Sequence, residues 1–241
     1  MKIIITENYD EMSIKAARMI SSQITLKNNS VLGLATGSTP EGMYRELINM
    51  YNNKEISFNE IVTFNLDEYY NLEKDNTESY DYFMRKNLFN HIDINKENIH
   101  IPNGMTDDID FECQNYDNMI KSSGGIDMQI LGIGGNGHIG FNEPNINFEA
   151  TTHLVNLTED TIEANSRFFD SIEEVPTKAI SMGVKTIMNS RKIILLANGK
   201  GKAEAIYNAV KGKITPTHPA SVLQLHNDVT LILDKEAASL L

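Results

Sequence analysis

The chain has 241 residues, 41% of them hydrophobic and 22% charged, ordinary proportions for a soluble globular protein that buries a sizeable core. Its net charge of −12 argues against nucleic acid, whose phosphates demand a basic face, and means that an anionic substrate would need a local island of cations. A single cysteine, Cys113, excludes an internal disulfide framework and fits a reducing cytoplasm.

At the N-terminus, MKIIITENYD holds an apolar run of three residues, too short for a secretory signal, and no later run is long enough to span a membrane. Lys2 to Thr6 reads as a strand. Between Met12 and Lys27 the residues Ile14, Ala17, Met19, Ile20 and Ile24 recur at helical spacing. Val31 to Ala35 is an apolar run, a buried strand. It leads through Thr36-Gly37-Ser38-Thr39-Pro40 into a helical pattern carried by Met43, Leu47 and Met50.

Thr39 is placed to cap that helix, and Pro40 suits its first turn, where a missing N–H costs nothing. Gly37 lets the loop turn tightly. The free N–H groups, with the hydroxyls of Thr36, Ser38 and Thr39, make a site for an anion at the positive helix end. A capped loop without a ligand would read the same way. The G-x-x-x-x-G-K pattern of a Walker A loop is absent.

Ile61 to Leu66 is the next strand and ends at Asp67-Glu68-Tyr69. Ligands of parallel α/β sheets gather at the carboxyl ends of strands, where Asp67 sits. The following helix, from about Tyr80 to Phe89, starts too far on for Asp67 to cap it. Ile92 to Asp108 is a linking stretch, Ile109 to Lys121 a helix in which Cys113 is a small buried side chain, and Ile126 to Leu131 a strand.

That strand opens into LGIGGNGHIGFNEP, Leu131 to Pro144. Its five glycines from Gly132 to Gly140 prevent regular structure and let the backbone approach a ligand. Gly132, Gly134 and Gly137 spell G-x-G-x-x-G, but Gly140, Asn142, Pro144 and Asn145 follow where a dinucleotide site needs a helix to open. A nicotinamide cofactor is therefore not expected. Asn136, His138, Asn142 and Glu143 set polar chemistry into the bare loop. The other reading of His138 is a structural histidine in a tight turn.

Thr151 to Leu157 reads as a strand, and Thr158 to Phe169 as a helix capped by Thr158 with Arg167 near its end. Strands follow at Ala179 to Met182 and Lys192 to Ala197, with a short helix from Val184 to Met188 between them. Asn198-Gly199-Lys200-Gly201-Lys202 then turns into a helix to about Val210. His218 to Gln224 reads as a helical turn and Val229 to Leu233 as a final strand. Seven basic residues and one acid lie between Val184 and Lys213, a solvated face for the most part, with Lys202 at a strand end as the exception. The alternation predicts an α/β fold: three Rossmann-like layers, a mostly parallel sheet with helices on both faces, in one domain over residues 1–241.

The six histidines show no close pairing and no cysteines cluster, so no metal site is expected; no G-x-S-x-G elbow marks a serine nucleophile. What remains is acid–base chemistry on a small anion, a phosphate ester by the distribution of cations.

With these residues in place the chain resembles the isomerising glucosamine-6-phosphate deaminase family. The motifs are ATGSTP (35–40), VTFNLDEY (62–69), LGIGGNGHIGFNEP (131–144), ANSRFFD (164–170), the glycine-lysine turn ending at Lys202, and LQLH (223–226), which together span nearly the whole chain. The resemblance implies conversion of D-glucosamine 6-phosphate and water to D-fructose 6-phosphate and ammonia: a hydrolase of a C–N bond that also isomerises aldose to ketose, cytoplasmic and without a cofactor. It implies that Asp67 moves a proton from C2 to C1, that His138 opens the sugar ring, and that Glu143 and Asn136 orient it. Ser38, Arg167 and Lys202 would hold the phosphate, with Thr36, Gly37 and Thr39 beside them.

Many members carry an aspartate where this chain has Asn136. An amide can hydrogen-bond an imidazole but does not raise its pKa by charge, so a different pH optimum is expected. Hexameric members activated by N-acetylglucosamine 6-phosphate carry an arginine and a lysine where His153 and Val155 stand. The expectation is an unregulated monomer or small homo-oligomer. Two rivals remain, the first of which shares the fold. Phosphogluconolactonases diverge after the histidine to a serine-leucine-phenylalanine-proline ending, unlike Phe141-Asn142-Glu143-Pro144; a phosphosugar-sensing regulator needs a DNA-binding segment, and no spare basic helix is present.

Overall fold

The computed structural model describes residues 1–167 and 169–241. Among them, seven strands form one parallel sheet: β1 (Lys2–Thr6), β2 (Val31–Leu34), β3 (Val62–Asn65), β5 (Ile99–His100), β6 (Met128–Leu131), β9 (Lys192–Ala197) and β10 (Val229–Asp234). Their order across the sheet is β1-β10-β9-β6-β2-β3-β5. A second sheet, of three antiparallel strands, sets β8 (Lys178–Ser181) between β4 (Asp67–Tyr69) and β7 (His153–Asn156).

The helices are α1 (Tyr9–Leu26), α2 (Ser38–Asn52), α3 (Tyr80–Asn87), α4 (Ile109–Ser122), α5 (Glu159–Ser166), α6 (Val184–Met188) and α7 (Ala203–Lys211). Strand alternation decides which face each residue serves. Ile193 and Leu195 of β9 and Leu231 of β10 join one apolar cluster, with Tyr116 of α4 and Ile206 of α7. Ile194, Leu196 and Ile232 point the other way, to Met12, Ile20, Met43 and Leu47 of α1 and α2. Both faces are covered, which is why these strands read as continuous apolar runs.

Five expectations are corrected. The strands expected at Thr151 to Leu157 and Ala179 to Met182 form over His153–Asn156 and Lys178–Ser181, and in the small antiparallel sheet, because Asp67–Tyr69 turns away from β3 to pair with β8. The stretch from Ile92 to Asp108 contains the edge strand β5, only two residues long, too short to show a period. Thr39 caps nothing. The helix begins at Ser38 behind Gly37, and the Thr39 hydroxyl donates to Asn198 Oδ1 at 3.1 Å. The helix expected to run to Phe169 ends at Ser166 with Arg167 as its C-cap; Phe168, in the same span and in the ANSRFFD motif, lies outside the described residues. The turn after His218 is a 3-10 helix, Pro219–Leu225.

Candidate active site

One cleft of about 700 Å³ opens where the carboxyl ends of β2, β3, β6 and β9 meet the small sheet, a volume that suits a small-molecule ligand. Its lining takes in Asp67, Asn136 and His138 from one side and Thr36, Gly37, Ser38 and Thr39 from another, with Arg167 and Lys202 completing it. Of the residues predicted from the sequence, only Glu143 is not in this wall. It lies behind His138, its Oε2 3.4 Å from Nδ1 of the ring.

Asp67 is 6% exposed. Burial, and then the charge of neighbouring Glu68, push its carboxyl up to about 8. Glu68 is buried as well, with its carboxyl pushed up to about 7 by burial, against three backbone N–H donors that favour the charged form. Those donors are Tyr69 at 2.8 Å, Tyr80 at 2.9 Å and Asp81 at 2.9 Å. Glu68 thus ties the start of α3 to the strand that carries Asp67. Tyr69, Tyr80 and Phe141 form an aromatic wall beside Asp67, with Tyr80 and Phe141 stacked at 5.9 Å between centroids.

The glycine loop folds back on itself through Gly134 N–H to His138 O and Gly137 N–H to Gly134 O, both 3.0 Å. Gly137 adopts φ +88° and packs against the His218 ring, whose Nε2 lies 2.9 Å from Ala205 O on α7. Asn136 reaches the imidazole only indirectly. Its Nδ2 donates to Glu143 Oε2 at 2.9 Å, and its Oδ1 accepts the His138 backbone N–H at 3.2 Å. Glu143 Oε1 accepts the Thr161 hydroxyl at 2.5 Å. Burial raises the Glu143 carboxyl, but the His138 contact and charge, then the Thr161 and Asn136 donors, outweigh it and hold it below the usual value.

At the far end of the cleft the Lys202 ammonium is lowered, first by burial and then by the charge of Arg167. An anion bound beside Lys202 and Arg167 would relieve that penalty on the Lys202 charge. The N-terminus of α2 faces the same space through Gly37, Ser38 and Thr39. Arg191, of the same basic stretch, instead serves the fold. With Lys27 it pairs with the buried Asp127, Nη1 to Oδ1 at 2.8 Å and Nζ to Oδ2 at 2.6 Å.

Sequence reasoning missed Glu68, Thr161, Asn198 and the aromatic wall. Each makes its contact across the fold, and none has a local signature beyond an ordinary strand, helix or loop position. Among the described residues no three His, Cys, Asp or Glu side chains gather as they would around a metal ion, and no helix is long and apolar enough to cross a membrane.

A mostly parallel sheet with two cations and a carboxylate–imidazole pair gathered at its strand ends has the form of an α/β protein that binds a small ligand there. Residues 6–232 match the family described as glucosamine-6-phosphate isomerases/6-phosphogluconolactonase, and the chain belongs to that family. It is 64% identical to a glucosamine-6-phosphate deaminase of Clostridium botulinum over 239 residues, 99% of this chain and 98% of that one. It is also 64% identical to a glucosamine-6-phosphate deaminase of Clostridium acetobutylicum over the whole of both chains. A solved monomeric glucosamine-6-phosphate deaminase superposes with a TM-score of 0.98 at 48% identity, covering 100% of both. The 6-phosphogluconolactonase of Trypanosoma brucei superposes at 0.78 with 20% identity over 99% of this chain and 97% of that one, a likeness of fold alone.

Proposed function

We propose that this protein converts D-glucosamine 6-phosphate and water to D-fructose 6-phosphate and ammonia. The observation that carries the reading is the cleft itself. A buried carboxyl of raised basicity, an imidazole backed by a carboxylate, and a cationic corner share one cleft.

The phosphate is held by Lys202, Arg167, Ser38 and the amides at the start of α2, with Thr36, Gly37 and Thr39 shaping the pocket. That remote grip fixes the sugar's other end against Asp67 and His138. His138 presents Nδ1 to Glu143, leaving Nε2 to move the O1 proton to the ring oxygen, which opens the pyranose to the aldehyde. Asp67 then takes the C2 proton, made acidic by the aldehyde at C1 and the ammonium on C2.

An ordinary carboxylate, of pKa about 3.9, is a poor base for carbon. Burial answers that by making Asp67 a stronger one, and the arriving ammonium supplies the positive charge that favours its ionised form. An ammonium proton passes to O1 as the enolamine HO–CH=C(NH2) forms, and returning the Asp67 proton to C1 then leaves an iminium at C2. Water adds there, the C–N bond breaks, and ammonia leaves a ketone. In sum, water is consumed, a C–N bond is cleaved and an aldose becomes a ketose. The one cysteine, buried and unpaired, fits work in the cytoplasm.

The same reading makes the enzyme unregulated, working as a monomer or small homo-oligomer. His153 and Val155 line a second cavity of about 320 Å³, and among the described residues its lining holds no lysine or arginine to bind a phosphate. Substrate saturation is expected to be hyperbolic and indifferent to N-acetylglucosamine 6-phosphate; sigmoidal kinetics relieved by that compound would contradict this.

Purified protein incubated with glucosamine 6-phosphate tests the activity, with ammonia and fructose 6-phosphate measured together. Both products should appear in equal amounts, with no hydrolysis of 6-phosphogluconolactone. Lactone hydrolysis without ammonia favours the lactonase reading, and binding without turnover favours a sensor.

A further inference from the structure

Glu143 is gripped from two sides: Oε2 takes the Asn136 amide, and Oε1 takes the Thr161 hydroxyl. Thr161 sits in the first turn of α5 and is buried. A carboxylate only accepts, so the Thr161 hydroxyl donates to it, and the Thr158 hydroxyl in turn donates to Thr161 at 3.2 Å. Thr158 is also the helix cap, accepting the Thr161 backbone N–H at 3.3 Å. This short chain of hydroxyls points one way, toward the carboxylate, and each link polarises the next.

The helix needs no such bond. Its first turn is already capped by Thr158, which takes the Thr161 backbone N–H. The other end of α5 delivers Arg167 to the cationic corner of the cleft. Between the two donors the carboxylate stands 3.4 Å from His138 Nδ1, at the long edge of hydrogen bonding, where a protonating imidazole would close the gap.

We propose that Thr161 is a positioning residue: its hydroxyl fixes the Glu143 carboxylate against His138 and makes α5 the bridge between the phosphate-gripping and ring-opening ends of the cleft. This rests on the functional reading above. It requires the hydroxyl, not the bulk of the side chain.

Thr161→Val removes the donor at constant shape, and Thr161→Ser keeps it. Two readouts are taken on the full chain: the Glu143 carboxyl titration by carbon NMR, which needs no turnover, and steady-state ammonia release. In Thr161→Val the Glu143 carboxyl should titrate about one pH unit higher, the loss of one charge-assisted hydrogen bond. Its kcat should fall about ten-fold, less than the hundred-fold or more expected for losing an acid–base group outright, with KM unchanged. Thr161→Ser should match the parent in both. Glu143 titrating alike in all three proteins overturns the inference, as does a serine variant as impaired as the valine one. A parent that releases no ammonia while the valine variant still shifts the titration removes the functional reading and upholds the contact.

Discussion

The imidazole of His138 lies against the bare Cα of Gly134: a Cβ built there would stand 2.3 Å from Cε1 and 2.4 Å from Nδ1 of the ring. No atom fits at that distance, so the glycine is what allows the loop to bring His138 over itself and back to the cleft. Gly134→Ala must displace the ring by about an ångström, and a displacement of that size costs on the order of a hundred-fold in rate. Steady-state kinetics should show the loss in kcat, with KM little changed, because the phosphate contacts lie elsewhere. A circular-dichroism melt close to that of the parent would assign the loss to the site rather than to folding.

Asp67 links stability to pH. The unfolded chain ionises this carboxyl near 3.8 and the folded one near 8, so across that interval the unfolded state has lost a proton that the native state keeps. This group therefore makes the fold less stable as pH rises from about 4 to about 8, and neutral beyond. Asp67→Asn abolishes the term. The variant should melt higher than the parent at pH 8, with the advantage fading toward pH 4. The same raised value predicts that kcat/KM of the parent climbs with pH up to about 8, since the free enzyme must hold an ionised base.

Lys202 is expected to act on binding more than on chemistry. Lys202→Met retains the buried stem at the start of α7 but withdraws the ammonium from the cationic corner. A charged hydrogen bond of about 1.5–3 kcal/mol corresponds to a KM increase of roughly ten- to a hundred-fold. A smaller fall in kcat should accompany it, because remote binding also orients the reacting carbons. Inorganic phosphate should inhibit the parent and lose that effect in the variant.

Much of this molecule could be read from its sequence because the central strands are buried on both faces. β2, β6 and β9 lie within the apolar runs Val31 to Ala35, Ile126 to Leu131 and Lys192 to Ala197, since little else competes at those positions. The small antiparallel sheet was hidden: Asp67–Tyr69 is three residues of polar and aromatic character, too few to show alternation, and becomes a strand only because β8 stands beside it. The residues in the cleft were legible from their types among glycines and at strand ends. Their supports were not. Glu68 reaching the start of α3, Thr161 reaching Glu143 and Thr39 turning to Asn198 are contacts between elements far apart in the chain, and no local pattern encodes them. The LQLH motif shows the converse. Gln224 donates to Ala209 O and Gly212 O at the end of α7, and His226 lies 2.7 Å from Ser190 O, so it secures the fold rather than the site.

The central claim is that Asp67 moves the proton from carbon, and replacing it by asparagine tests this most directly. The Asp67→Asn protein should bind glucosamine 6-phosphate as the parent does, measured by calorimetry, while ammonia release falls by about a hundred-fold or more, the scale of a lost acid–base group. Deamination at the parental rate by that variant would contradict the account.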